Sequence, residues 1–137
     1  MAIKKAVTQQ NPKIAHPFEE DLSFLYGTIF IAKPDDHSND SRNICVFADG
    51  EVDRCPTGSG VSGRMAIHKM RNEIQYGESM RIESITDSVF TGSVVEEVDF
   101  GPFRAVIPEV EGTAHITGMH TFVIDPTDPM KHGFLLR

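Results

Sequence analysis

The sequence has few cysteines, no excess of positive charge and no long apolar run, and each shortage removes a class of protein. The 137 residues include two cysteines, Cys45 and Cys55. That is too few for a disulfide framework, so free thiols and a cytoplasmic location are expected. Lys and Arg total 13 against 20 Asp and Glu, a net charge of −7, whereas a nucleic-acid binder needs a basic face for the phosphate backbone. The longest apolar run, 22–32, is broken by Ser23, Gly27 and Thr28 and falls short of the roughly 20 residues of a membrane span. Residues 1–10 carry Lys4 and Lys5 without the apolar core of a secretion signal. What remains, 39% hydrophobic and 24% charged residues, suits a single packed domain over 1–137.

Ile3, Ala6 and Val7 sit at helical spacing with no N-cap before them, so the opening reads as the end of a helix. Asn11-Pro12 and His16-Pro17 break it. Residues 22–32 and 43–48 are rich in β-branched and aromatic residues and are expected as strands, separated by a polar loop. Asp49-Gly50 signals a hairpin turn. Over 57–76, Val61, Met65, Ala66, Ile67, Met70 and Ile74 form a broad apolar stripe and Arg64, His68, Arg71 and Gln75 a polar one, predicting a long, largely buried helix ending at Gly77. Strands are predicted at 80–85, 88–98, 103–107 and 113–124. One long buried central helix with a mixed sheet curled around it defines an α+β fold.

The chemistry concentrates in Asp53-Arg54-Cys55-Pro56-Thr57-Gly58-Ser59-Gly60, a tight turn opening that helix. The first N–H groups of a helix lack internal partners and its dipole favours negative charge there. Thr57, Gly58 and Ser59 therefore offer a carboxylate or phosphate site, or else an ordinary capped helix start. Residues 58–63 also match G-x-G-x-x-G, with Glu83 twenty residues beyond. No strand runs straight into Gly58, Glu83 is expected inside a strand rather than at its end, and the later elements are all β, so a dinucleotide fold is rejected. No Lys-Ser or Lys-Thr follows to make a P-loop. The cysteines and histidines show no metal-ligand spacing, and His115 and His120 would point to opposite faces of a strand. Cys45 reads as a small core residue.

The 53–60 segment resembles the second-half signature of the proline racemase family, whose fold is that of diaminopimelate epimerase. The resemblance extends over 21–27, Ser41-Arg42-Asn43, Gly77-Glu78, 82–85, Ile116-Thr117-Gly118, 125–129 and Gly133-Phe134, nearly the whole chain. It implies that the chain corresponds to the later portion of a two-lobed enzyme, with a first lobe supplying a catalytic cysteine. Thr57 stands where the family's racemases and epimerases carry the second cysteine, the pattern of its trans-3-hydroxy-L-proline dehydratases.

On this resemblance Asp53 binds the ring amine of a cyclic imino acid, and Thr57, Gly58 and Ser59 hold its carboxylate. Phe47 forms an apolar wall, and Thr57 also assists the leaving hydroxyl. No cofactor or metal is implied. The chain alone is expected to be inactive, with its 113–137 tail packing on a first-lobe chain or pairing in a homodimer. Two alternatives stay open: a proline racemase or 4-hydroxyproline epimerase using Cys55, and a noncatalytic fragment that binds small carboxylates.

Overall fold

A computed structural model describes residues 2–10 and 14–135; the Asn11-Pro12 break and Leu136 of the tail lie outside them. Helix α1 spans Ala2–Gln10 and buries none of its side chains. A short 3-10 turn, Glu20–Leu22, occupies the start of the first expected strand, which begins only at Gly27. The strands are β1 (Gly27–Ala32), β2 (Ser41–Phe47), β3 (Glu51–Val52), β4 (Ser79–Glu83), β5 (Val89–Phe100) and β6 (Phe103–Glu111), with helix α2 (Gly58–Met70) between β3 and β4.

The strands form one mixed sheet in the order β1-β2-β4-β5-β6, with β3 paired to β2. Among the described residues β2 and β4 are the one parallel pair. The parallel step needs a crossover, and α2 supplies it. Along one edge of β2, β4 pairs with Ser41 and Arg42 and β3 pairs with Val46 and Phe47. The segment leading into α2 runs past the gap between them. At Asp49-Gly50 the expected tight turn forms, with the Gly50 N–H donating to the Phe47 carbonyl. The β5–β6 hairpin turns at Gly101-Pro102 and bulges at Val95. Pro108 is tolerated because β6 lies at the sheet edge.

The core joins Val61 and Met65 of α2 to Ile74, Ile82 and Val94, flanked by Met80, Phe90, Val106 and Val110. The fold class is α+β, but the expected long buried helix is corrected on two points. First, α2 ends at Met70. Asn72 takes a left-handed φ of 58°, the Asn72 N–H bonds the Lys69 carbonyl, and the Glu73 N–H bonds the His68 carbonyl. This is a Schellman stop supplied by asparagine rather than glycine. Ile74 is still buried, but from the turn beyond. Second, only Val61, Arg64 and Met65 of α2 are buried, while Ile67 and Met70 are exposed. Arg64, expected on the solvent face, turns inward.

The expected strand at 113–124 does not form among the described residues. The chain from Gly112 to Leu135 is irregular, and His115 and His120 share no strand. Glu83 ends β4 instead of lying inside a longer strand.

Candidate active site

The turn opening α2 is held from three sides. The Asp53 N–H donates to the Cys45 carbonyl. Thr86 and Ser88, after β4, donate to the Arg54 carbonyl. Asn43 of β2 donates through Nδ2 to the Pro56 carbonyl at 3.0 Å. Pro56 itself is fully buried.

Thr57 then enters the helix with φ 70° and ψ 100°, a conformation rare for a β-branched residue. Its side chain makes no capping bond to the helix. The hydroxyl donates instead to Asp53 Oδ2. Such a backbone costs about 1–3 kcal/mol. A hydrogen bond to a carboxylate contributes about 1.5–3 kcal/mol and a neutral one about 0.5–1.5, so the Asp53 and Pro56 bonds together are of the size needed to hold it.

Beneath the turn lies a polar layer. Ser41, Asn43 and Cys45 alternate along β2 and are all buried. Arg64, 7% exposed, donates through Nη1 to Ser41 Oγ and Asn43 Oδ1, both at 2.9 Å. Its Nη2 lies 3.2 Å from His68 Nε2, and His68 Nδ1 lies 2.6 Å from Glu73 Oε2. A guanidinium has no lone pair to accept with, so His68 Nε2 accepts and Nδ1 carries the proton toward Glu73. Burial pushes the Arg64 pKa below its ordinary value.

At the α2 entrance a cavity of about 300 Å³ is lined by Tyr26, Gly27, Ile29, Cys45, Phe47, Asp53, Thr57, Ser59 and Gly60. Four of the five site residues expected from sequence, Phe47, Asp53, Thr57 and Ser59, thus line one cavity, and Gly58 opens the helix between two of them without being among the lining residues. Cys45, read as core, also lines it, and so does Tyr26, whose ring lies against Phe47 with centroids 5.7 Å apart and planes tilted by 35°. Cys55 instead borders a neighbouring depression with Arg54, Thr86, Ser88 and His115, which shares Asp53 with the first cavity. The signal for Cys45 was present: it stands two residues from Phe47 on a strand, so both face the same side. Arg64 carried no such signal, because its helical position matched the polar stripe.

Gly27 lies at the cavity because nothing larger fits. A Cβ there would sit 2.9 Å from the Val46 carbonyl oxygen and 3.2 Å from the Phe47 Cα, both backbone atoms. Away from the cavity, Asp35, Glu83 and Asp87 lie close enough to share an ion, but the Arg42 guanidinium pairs with all three. Glu83 is 1% exposed and also accepts from the Asp35 and Asp36 N–H groups and Asn39. It ties the β1–β2 loop to the end of β4 and is not available to a ribose. No helix among the described residues is long and apolar enough to cross a membrane.

The fold and this cavity describe one α+β lobe that presents a helix N-terminus beside an acidic side chain and an aromatic wall. The chain belongs to the proline racemase family, whose pattern it matches over residues 1–135. It is 50% identical over 135 residues to a trans-3-hydroxy-L-proline dehydratase of Colwellia psychrerythraea, an alignment covering 98% of this chain and 38% of that protein. The human trans-3-hydroxy-L-proline dehydratase is 47% identical over 138 residues, covering 99% and 39%. A 3-hydroxyproline 2-epimerase of Burkholderia multivorans is 44% identical over 135 residues, covering 98% and 40%. The crystal structure of a hydroxyproline epimerase from Agrobacterium vitis with bound trans-4-hydroxy-L-proline superposes with a TM-score of 0.78 at 29% identity, covering 99% of this chain and 38% of that one. The chain thus spans about two fifths of these relatives.

Proposed function

We propose that this chain is the substrate-holding second part of a trans-3-hydroxy-L-proline dehydratase-type enzyme that acts at the α-carbon of a cyclic imino acid. The observation that carries this reading is Thr57, which occupies the α2 entrance with its hydroxyl on Asp53 inside a cavity also lined by Phe47 and Ser59. The N–H groups of Gly58 and Ser59 receive the substrate carboxylate, since charge at a helix N-terminus is favoured. Asp53 takes the ring ammonium and Phe47 packs on the ring. The α-proton passes to a base on a first-lobe chain, and the protonated base gives that proton to the C3 hydroxyl, which departs as water. The resulting enamine tautomerises to a cyclic imine carboxylate. A threonine hydroxyl does not ionise near neutral pH and cannot replace a thiolate base. One base and a departing hydroxyl suffice for elimination, whereas inversion needs a proton donor on the opposite face.

The chain alone is inactive on this reading, because proton abstraction needs a positioned base. The partner is a first-lobe chain or, in its absence, a second copy. The test is to assay the purified chain on 3-hydroxyproline, 4-hydroxyproline and proline, with and without a first-lobe chain. Dehydration of 3-hydroxyproline only in the mixture supports the reading, and turnover by the chain alone refutes it.

One observation favours a second reading, an epimerase. Cys45 is among the residues that line the same cavity as Thr57, a position that Cys55 does not share. If the reconstituted enzyme inverts hydroxyproline and Cys45→Ala abolishes inversion, the epimerase reading replaces the dehydratase one.

A further inference from the structure

Thr57 lines the cavity and is held in an unfavourable backbone conformation, so some group must impose it. The torsion φ of Thr57 is set by the orientation of the Pro56–Thr57 peptide plane about the Thr57 N–Cα bond. A group that fixes the Pro56 carbonyl fixes that plane. We propose that Asn43 is a positioning residue: its amide, backed by the buried Arg64 guanidinium, grips the Pro56 carbonyl and keeps Thr57 at positive φ with its hydroxyl on Asp53. The proposal rests on the reading of the α2 entrance as a carboxylate pocket.

Three observations carry it. The Asn43 Nδ2 to Pro56 oxygen distance is 3.0 Å, and Asn43 is 1% exposed, so water does not compete for the bond. Arg64 Nη1 donates to Asn43 Oδ1, which dictates the amide's orientation. Flipping it would set an NH2 group against a guanidinium and an oxygen against a carbonyl. A cationic donor on Oδ1 also polarises the amide and strengthens its donation to Pro56. Arg64 is in turn fixed by Ser41 and His68, and His68 by Glu73 at the far end of α2. The grip on Thr57 is therefore anchored in the helix and sheet rather than in the turn itself.

A structural role alone, satisfying buried polar groups, makes a different prediction. Asn43→Asp keeps the volume and gives Arg64 a better acceptor, but it removes the donor to Pro56. Ser41→Ala removes an Arg64 partner and leaves the Asn43–Pro56 bond intact. The full chain is studied by NMR, with Thr57 Cα and Cβ shifts reporting its φ and pyrrole-2-carboxylate as the binding probe. We expect Asn43→Asp to stay folded but to melt earlier, because the buried Pro56 carbonyl loses its donor and faces an oxygen, and, unlike Ser41→Ala, to lose the positive-φ shifts of Thr57 and bind the probe about tenfold more weakly, as when a group that orients a binding residue is lost. Ser41→Ala is expected to melt earlier with Thr57 and binding unchanged.

The proposal falls if Thr57 keeps its shifts and the probe its affinity in a folded Asn43→Asp. If that variant does not fold, the unmodified chain decides: a through-hydrogen-bond coupling between Asn43 Nδ2 and the Pro56 carbonyl carbon supports the grip, and its absence overturns it. If the unmodified chain does not bind the probe, yet Thr57 shifts in Asn43→Asp, the pocket reading fails while the positioning role stands.

Discussion

The Thr57 hydroxyl bonds Asp53 Oδ2, four residues earlier, across the turn that opens α2. The bond has two consequences. It withdraws the usual capping group from the helix N-terminus, leaving the first N–H groups to a ligand. It also occupies one Asp53 oxygen, and on the proposed reading Oδ1 is left to accept from the ring N–H of a ligand. Asp53→Ala is therefore expected to weaken pyrrole-2-carboxylate binding by about 1.5–3 kcal/mol, the size of one hydrogen bond to a charged group. Calorimetric titration measures this, and unchanged affinity in a folded variant counts against the site.

Thr57→Cys is expected to change the outcome of catalysis when a first-lobe chain is present. A thiol at this position gives the site a second acid–base group, whereas a hydroxyl does not. In deuterated water the variant should place solvent deuterium in stereochemically inverted substrate, while the threonine enzyme dehydrates 3-hydroxyproline. Efficient inversion of proline by the threonine enzyme would sink the single-base argument.

Glu83 predicts an acid limit to stability. Its carboxyl is held below the ordinary value of 4.5, first by the Asp35 backbone N–H, against the opposing effect of burial, with help from Asn39, the Asp36 N–H and Arg42. A depressed pKa in the fold means that the unfolded chain binds more protons in this range. The stabilisation is then fully present above pH 4.5 and is lost as pH falls below it toward the lower folded value. Glu83→Gln should be less stable at neutral pH, and its melting temperature should fall less between pH 6 and pH 4 than that of the unmodified chain. Parallel pH profiles would show that Glu83 is not a source of the acid sensitivity.

The sequence was legible where local composition and turn residues agreed. Residue content along 43–48 marked β2, the Gly- and Pro-rich turn before Val61 marked the helix entrance, and the family resemblance of 53–60 singled out Phe47, Asp53, Thr57 and Ser59, which line one cavity. It misled where a polar residue had a buried partner. Arg64 matched a solvent stripe because hydropathy does not record that Ser41 and Asn43 await it across the core. The helix end was missed because Asn72, not glycine, takes the left-handed stop. The strand expected at 113–124 was read from β-branched and aromatic content, but such content makes a strand only when a neighbouring strand pairs with it.

Gly92 sets the distance between β5 and α2. A Cβ there would lie 2.7 Å from Val61 Cγ1 and 3.0 Å from Met65 Sδ, and both residues are fully buried. Val61 has little rotamer freedom in a helix. Gly92→Ala is expected to destabilise the chain by about 1–3 kcal/mol, the cost of overpacking a well-filled core. Denaturant melts check this. A variant as stable as the parent would mean that α2 can move away from the sheet at little cost.

The last expectation concerns association. Between Gly112 and Leu135 the chain carries Ile116, Phe122, Val123 and Ile124 without regular structure, and Ile116 and Phe122 are 94% and 90% exposed. Strand β6, which precedes it, is a sheet edge with no further strand paired to it among the described residues. An apolar segment and an open edge on one chain favour pairing with another. Two copies related by a two-fold axis can each lay a tail along the other's sheet edge, closing the assembly without leaving further edges. Light scattering of the full chain is expected to give a dimer, and a chain truncated after Gly112 a monomer. The tail should also resist proteolysis in the dimer and be cut readily when a dilute sample dissociates. A full chain that stays monomeric at high concentration with its tail protected would mean that the tail folds back on its own lobe, and the pairing of copies would be ruled out.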